Sequence, residues 1–425
     1  MKQIKEIFRR STSFWLALEL ILVTFTLWWA FDPVIVTNYV THLPLGYDVD
    51  RMVKLDVYKT KGKTSFELLN EKERLLQKVL EMDEVELAYL AHTNPMGYND
   101  VVMPGYFFND KGDSISTQRY GFAPDSKMFD VYGIHSLTPE VPDSELTHDC
   151  EREKTVLLTR SLAMGLFGTI DVAGRKVLGQ EYEWDEETQK SVWNKKPFHI
   201  RAVVDDVRYQ TYDRNYATLF YCTSAIGYDA PIILRLREGV NAERFVQEHQ
   251  KEILNEMGTE HCYIRGMQTA SEAKDKQRWV ITLKRMTRRN LLIAAFFATN
   301  MTFGVIGTLL MYMRQRREEA GVRRAFGATR WSIFLGFIRE AWLLTTICVI
   351  IGCIIYFQFA AQKGLFDDFT SQNPAVRLWF DDFGTHFLVV SLFVYIIILC
   401  TVLLGTAIPA WRICRSKITE SLMEE

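Results

Sequence analysis

The sequence predicts an α-helical membrane protein with four transmembrane helices and a large extracytoplasmic α+β domain inserted between helices 1 and 2. Three observations carry that prediction: four apolar blocks of near-membrane length, an uneven spread of Lys and Arg between them, and one long polar insert with strand and helix patterns of its own. Whole-chain averages hide this arrangement. The 425 residues carry 50 Lys+Arg against 52 Asp+Glu, with 48% hydrophobic and 24% charged residues. The mean hydropathy of −0.05 is that of a soluble enzyme. A formal net charge of −2 argues against a nucleic-acid partner, which calls for a basic excess.

The blocks are Phe14–Phe31, Leu291–Met313, Ala341–Phe359 and Phe387–Ile408. Each approaches the ~20 residues that cross a ~30 Å hydrocarbon core at 1.5 Å per residue. The second and fourth contain no Asp, Glu, Lys or Arg, which disfavours core helices of a soluble protein. Lys2, Lys5, Arg9 and Arg10 precede the first block, as they would in a signal peptide. Trp28 and Trp29 stand where a cleavage site needs small residues, so the block reads as an uncleaved anchor with its tryptophans in the interfacial belt.

Orientation follows from the short segments, because cytoplasmic loops collect Lys and Arg. The stretch after block two holds Arg314, Arg316, Arg317, Arg323, Arg324 and Arg330, and the C-terminal tail holds Arg412, Arg415 and Lys417. The segment between blocks three and four holds Asp367, Asp368, Asp381 and Asp382 against Lys363 and Arg377. The expected order is a cytoplasmic tail (1–13), helix 1 (14–31), an outer domain (32–289), helix 2 (290–313), a cytoplasmic segment (314–340), helix 3 (341–359), a short outer loop (360–386), helix 4 (387–408) and a cytoplasmic tail (409–425). Lys284, Arg285, Arg288 and Arg289 lie on the disfavoured side of block two, but long translocated domains obey the charge rule less strictly.

Within the insert, apolar alternation predicts strands at Met52–Tyr58, Thr155–Leu158, Phe198–Val204 and Ile232–Leu236. Helical spacing predicts Ser65–Leu80 and Ala242–Met257, and a polar stalk helix over 271–289 running into block two. Irregular mixing of strands and helices indicates an α+β domain. Cys150, Cys222 and Cys262 lie in the insert; one bridge with one thiol left over, or three buried thiols, both fit. His148 near Cys150 and His261 beside Cys262 lack structural-zinc spacing, so no metal site is expected.

Catalytic signatures are missing. There is no G-x-x-x-x-G-K-S/T, no G-x-S-x-G and no H-E-x-x-H. Paired carboxylates such as Glu186–Glu187 and Asp205–Asp206 read as solvated loop or strand-end charges. The chain is not expected to be an enzyme or to hold a cofactor; if it spends energy, another chain supplies it.

The segment Arg314–Glu340, RQRREEAGVRRAFGATRWSIFLGFIRE, is amphipathic. Glu319 and Arg323 stand i,i+4 with the acid first, the favourable order on a helix. Val322, Ala325 and Phe326 share a side, Gly327 lies where a first helix can stop, and Ser332 is placed to start the next. On physics alone this could be a coupling element or a basic helix that only anchors topology. Its wording adds more. EAGVRRAFGAT resembles the E-I-G-I/V-R-R-A-L/M-G-A segment of FtsX/MacB-type ABC transporter permeases, and Glu340–Ala341 resembles that family's E-A pair entering the third helix. PAWRICRSKITESL resembles the family's closing segment, with Ile418–Thr419 departing from its usual Pro-Val or Pro-Ile. In the insert, TVLLTRSLAMGLFG, FHIRAVVDDVRYQTY and PIILRLREGVNAERF resemble successive parts of a MacB-like periplasmic core, with Ala202 replacing a customary Gly.

The resemblance implies the permease subunit of an ABC transporter in the bacterial inner membrane, with both termini cytoplasmic and the large domain periplasmic. A separate cytoplasmic ABC ATPase would bind the loop after helix 2, through Glu319, Gly321, Arg323, Arg324, Phe326 and Gly327. Its motion would pass to the outer domain by mechanotransmission, for efflux, lipoprotein extraction or signalling. Implied partners are a second permease copy or paralogue, membrane lipid, and a periplasmic adaptor or outer-membrane component. The alternative of another class is a membrane-anchored receptor or scaffold with no ATPase. Three charges in or near the blocks remain as intramembrane candidates. Glu19 lies inside block one, and its alternative is the inner interface near Arg9 or Arg10; Arg339 and Glu340 are expected to mark the inner boundary of block three.

Overall fold

The structure is a computed structural model that describes residues 11–59, 65–91, 95–98, 104–150, 154–185, 190–209, 211, 214, 216–224, 230–315, 322–323, 326–367 and 377–415. The chain divides into two compact units: Met1–Asn38, Lys284–Asp368 and Leu378–Glu425 form one, Tyr39–Leu283 and Phe369–Arg377 the other.

The first unit is built on long helices: α1 (Ser11–Thr41), α7 (Arg278–Gln315), α8 (Arg330–Lys363) and α9 (Phe383–Arg415). Among the described residues, Phe14–Thr41, Arg330–Lys363 and Phe383–Arg412 are long and apolar enough to cross a membrane. The block Leu291–Met313 lies inside the 38-residue α7. α1 continues ten residues past the end of its block and through Pro33. Leu20, Leu27 and Trp28 of α1, Met301 of α7, Cys348 of α8 and Val390, Val394 and Ile398 of α9 share one core. Small residues set the closest approach. A Cβ on Gly352 of α8 would stand 2.7 Å from Thr24 Cβ on α1, so the two backbones meet where one side chain is missing.

Among the described residues the second unit holds ten strands in two layers. β1 (Met52–Lys59), β2 (Val85–Leu90), β9 (Ile232–Leu236) and β10 (Cys262–Thr269) make an antiparallel sheet in the order β10-β1-β9-β2. One face packs under α2 (Ser65–Leu80) and α5 (Ala242–Glu256), through Leu68, Leu75, Val79, Phe245 and Ile253. The remaining strands close a barrel in the order β3-β4-β8-β5-β7-β6: β3 (Pro104–Phe108), β4 (Ser114–Phe122), β5 (Thr155–Thr159), β6 (Lys176–Asp185), β7 (Lys190–Val204) and β8 (Thr218–Cys222). Closure leaves no free edge in the barrel. α4 (Arg160–Phe167) adds Leu162, Ala163 and Leu166 to the barrel core. A third cluster joins the layers: α3 (Met128–Tyr132) contributes Phe129 and Tyr132, which meet Met52, Tyr89 and Ile233 of the sheet and Tyr120 and Phe220 of the barrel.

α2 occupies the residues its apolar spacing predicts, and β1 and β9 begin where alternation places them. The stalk differs. A short helix α6 (Ala270–Lys276) ends at Gln277, whose backbone is extended (φ −59°, ψ 131°), and α7 begins afresh at Arg278. Cys150 and Cys222 are joined as a disulfide, and Cys262 is a buried free thiol. That selects the one-bridge alternative for the three cysteines of the insert.

Candidate functional site at the α7–α8 turn

Between α7 and α8 the described chain makes one tight turn. The Phe326 amide donates to the Val322 carbonyl at 3.1 Å, and the Ala328 amide to the Arg323 carbonyl at 3.0 Å. Gly327 has φ +91°, the left-handed conformation that lets a helical turn end without a Cβ clash. Thr329 then caps α8, its side chain accepting from the Ser332 amide at 3.2 Å. The helix therefore starts at Arg330, and Ser332 supplies the capped N–H instead of the cap itself. Glycine stop and threonine start, two residues apart, fix how the turn is presented.

What it presents is apolar and cationic. Phe326 is 89% exposed, and Trp331 of the next turn is 61% exposed. Trp331, Phe334 and Trp411 form a ring cluster with centroids 5.4 to 5.8 Å apart. The Arg415 guanidinium lies 4.9 Å from the Trp411 centroid, within cation–π range. Beneath them Ile333 and Phe337 of α8 pack on Ala410 and Cys414 of α9. The sequence singled out the loop but not the end of α9 that supports it. The available signal was Trp411 just before Arg412, an aromatic–basic pair of the kind found at a membrane interface.

Of the predicted coupling residues, Arg323, Phe326 and Gly327 share this turn, and Arg323 is exposed. Glu319, Gly321 and Arg324 lie outside the described residues, as does the Glu319–Arg323 pair. Glu19 is half-buried on α1, and a Cβ on Gly304 of α7 would overlap its carboxylate. Arg9 and Arg10 also lie outside the described residues. Arg339 is exposed and Glu340 half-buried; on α8 they stand about 15 Å beyond its start, at 1.5 Å per residue. No group of three or more His, Cys, Asp or Glu among the described residues is placed to hold a metal ion.

A cleft of about 450 Å³ in the second unit is lined by Tyr47, Asp48, Glu86, Tyr132, His135 and Arg235, among others. Its charges answer one another. Arg51 bonds Asp48 at 2.8 Å and Glu86 at 3.3 Å, and Arg235 lies 3.7 Å from Glu86. The cleft thus marks itself for no single sign of ligand.

Long apolar helices with an α+β domain inserted between the first two fit the architecture of a membrane permease. Residues 291–418 match the FtsX-like permease C-terminal family. The chain is 32% identical over 102 residues to the macrolide export ATP-binding/permease protein MacB of Marinobacter nauticus, covering 23% of this chain and 14% of that protein. It is 22% identical over 313 residues to the MacB protein of Neisseria gonorrhoeae, covering 70% of this chain and 43% of that one. The chain thus spans less than half the length of these relatives. The periplasmic region of MacB from Actinobacillus actinomycetemcomitans aligns with 56% of this chain and 96% of its own, at a TM-score of 0.30 and 14% identity. The resemblance read from the motifs is borne out: residues 291–418 match the FtsX-like permease family model, and the chain is similar to MacB proteins.

Proposed function

We propose that this chain is the permease subunit of an ABC transporter complex, relaying ATP-driven motion of a separate cytoplasmic ATPase to its inserted domain, for export, efflux or envelope remodelling by mechanotransmission. The supporting observation is the match of residues 291–418 to the FtsX-like permease family. The proposed arrangement is four spans in the bacterial inner membrane, both termini cytoplasmic and residues 32–289 periplasmic. The second unit is an autonomous domain, and two permease subunits pair in the complex. The partner ATPase binds the nucleotide. Its docking surface on this chain is the turn around Gly327, with Phe326 as apolar anchor, Glu319, Arg323 and Arg324 as register charges, and Gly321 where backbones approach.

The test is co-purification of an ATPase with the full chain in mild detergent, and permease-stimulated ATP turnover. Removing one partner of a packed charged contact costs about 2–5 kcal/mol, roughly 30-fold or more in affinity. Glu319→Lys is expected to uncouple the ATPase while insertion and the outer fold persist, and Phe326→Ala to do so more mildly. A loop that serves only as a topology anchor would leave both variants unchanged. Absence of any ATPase from the wild-type complex would favour the receptor or scaffold alternative. Stoichiometric nucleotide binding by the isolated chain would overturn the assignment of ATP to a partner.

A further inference from the structure

Asp32 of α1 and His386 of α9 are 2% and 1% exposed, and His386 Nε2 lies 2.6 Å from Asp32 Oδ1. The other carboxylate oxygen of Asp32 accepts from the Phe366 amide at 3.0 Å, in the segment that follows α8. The other imidazole nitrogen, Nδ1, faces the Phe380 carbonyl at 3.2 Å. Three separate stretches of the first unit therefore converge on one carboxylate–imidazole pair: α1, the segment at Phe366, and the turn Trp379–Asp381 with the α9 N-terminus.

Both ring nitrogens of His386 face acceptors. A neutral imidazole carries one N–H and can satisfy one of them; only the doubly protonated ring donates to both. The three contacts are all satisfied when the pair holds two protons, as imidazolium and carboxylate or as a neutral imidazole with an Asp32 carboxyl that donates to Nε2. Loss of one of the two leaves either the Asp32 oxygen or the Phe380 carbonyl facing a lone pair.

The place of the pair on α1 matters. Asp32 is followed by Pro33 inside the helix, and a proline removes one backbone bond and crowds the preceding turn. The clamp thus holds α1 at its weakest turn. Beside it Trp28 stacks on Tyr356 at 4.1 Å and donates to the Ser391 hydroxyl at 3.0 Å. The titratable and charged groups around the pair are Tyr356 on α8, Asp381 in the turn, and Asp382, whose carbonyl accepts the His386 amide and whose carboxylate caps Thr385. Lys363 and Asp367 are exposed near the Phe366 segment.

We propose that Asp32 and His386 form a proton-dependent clamp. While the pair holds both protons, it pins α1, the Phe366 segment and the start of α9 together; loss of one frees the segment and lets α1 bend at Pro33. The inference stands independently of any ATPase.

Hydrogen exchange of the full chain in lipid nanodiscs tests it, from about pH 6 to about pH 9, with rates corrected for intrinsic pH dependence. Wild-type exchange at Phe366 and in the first turn of α9 is expected to rise about tenfold or more with pH, the scale of one charge-assisted hydrogen bond. His386→Gln and Asp32→Asn are expected to exchange rapidly there at every pH, and Tyr356→Phe to keep the wild-type pH response. A flat wild-type profile overturns the proton dependence, and needs no variant to read. Wild-type protection in both His386→Gln and Asp32→Asn overturns the clamp itself.

Discussion

Arg208 donates from Nη1 to the Val40 carbonyl at 3.0 Å while its side chain has no exposed surface. The same guanidinium donates to the Pro44 carbonyl at 3.1 Å, the Thr211 carbonyl at 3.2 Å and the Leu43 carbonyl. Tyr216 covers it, with its ring 5.7 Å away and its hydroxyl donating to Pro44. Residues 40–44 are the last turn of α1 and its exit, where helix carbonyls lack intrahelical partners and the helix dipole is negative. A planar five-donor cation suits that need.

Arg208→Ala is expected to remove the donor from four carbonyls, of which Val40 keeps the Leu43 amide and Pro44 the Tyr216 hydroxyl. Losing it at Leu43 and Thr211 costs about 1–3 kcal/mol each, so the total should reach about 2 kcal/mol or more, with partial recovery in Arg208→Lys, which has donors but no fork. Spread over the whole chain that is a fall of roughly 2 °C or more in Tm. Thermal unfolding of the purified chain in detergent reads it. Wild-type Tm in Arg208→Ala would show the exit held by something else.

Two helical glycines of α8 should behave oppositely. Gly352 leaves a Cβ no room beside Thr24, whereas nothing stands within 4 Å of a Cβ on Gly336. Overpacking costs about 1–3 kcal/mol, and replacing an unencumbered helical glycine by alanine gains up to about 1 kcal/mol. Gly352→Ala should therefore lower the unfolding midpoint and Gly336→Ala leave it unchanged or raise it. Equal effects would mean that α1 and α8 do not meet at Thr24.

The disulfide gives a third expectation. Cys150 and Cys222 are 72 residues apart, and closing a loop of that length removes unfolded-chain entropy worth about 4 kcal/mol. Reduction, or the double Cys→Ser change, should lower the midpoint by roughly 4 °C or more. Cys262→Ser, at a buried free thiol, should not reproduce the reductant response. An identical midpoint with and without reductant would argue that the bridge is absent in solution.

What could be read from the sequence was what repeats locally. The apolar stripe of α2 and the alternation of β1 and β9 need only neighbouring residues. β4 and β8 pair in parallel, with Gln118 opposite Thr218, and only the closed barrel makes that pairing; β3 and β6 likewise have short or charged patterns with weak period. The break at Gln277 carries no Gly or Pro to announce it. Phe326 and Gly327 were legible because an exposed aromatic and a left-handed glycine follow from local chemistry. Asp32 and His386 fall one residue outside the apolar blocks, and their meaning depends on a partner 354 residues away. Arg208 stood inside a quoted motif, yet nothing in the linear pattern says that the end of α1 comes to it.

Asp206, two residues before Arg208, contributes a pH dependence of its own. Its carboxylate accepts from the Ser161 amide at 2.7 Å and the Ser161 hydroxyl at 2.8 Å, at the start of α4. Burial nevertheless pushes its carboxyl above the ordinary 3.8, outweighing the two Ser161 bonds that hold it down. The folded protein then holds the Asp206 proton over a range where the unfolded chain has released it. Where the native state binds more protons, stability falls as pH rises. The contribution of Asp206 is therefore greatest below pH 3.8 and declines from there through its raised folded value. Asn at this position keeps the shape: Oδ1 can accept the Ser161 amide and Nδ2 can donate to the hydroxyl, while the titration disappears. Asp206→Asn should match or fall slightly below wild type at the acid end and exceed it near neutrality, so the difference in midpoint grows with pH. Midpoints measured from about pH 4 to about pH 8 decide it. A difference that shrinks with rising pH would mean that the Ser161 bonds dominate and that the carboxylate is favoured in the folded state.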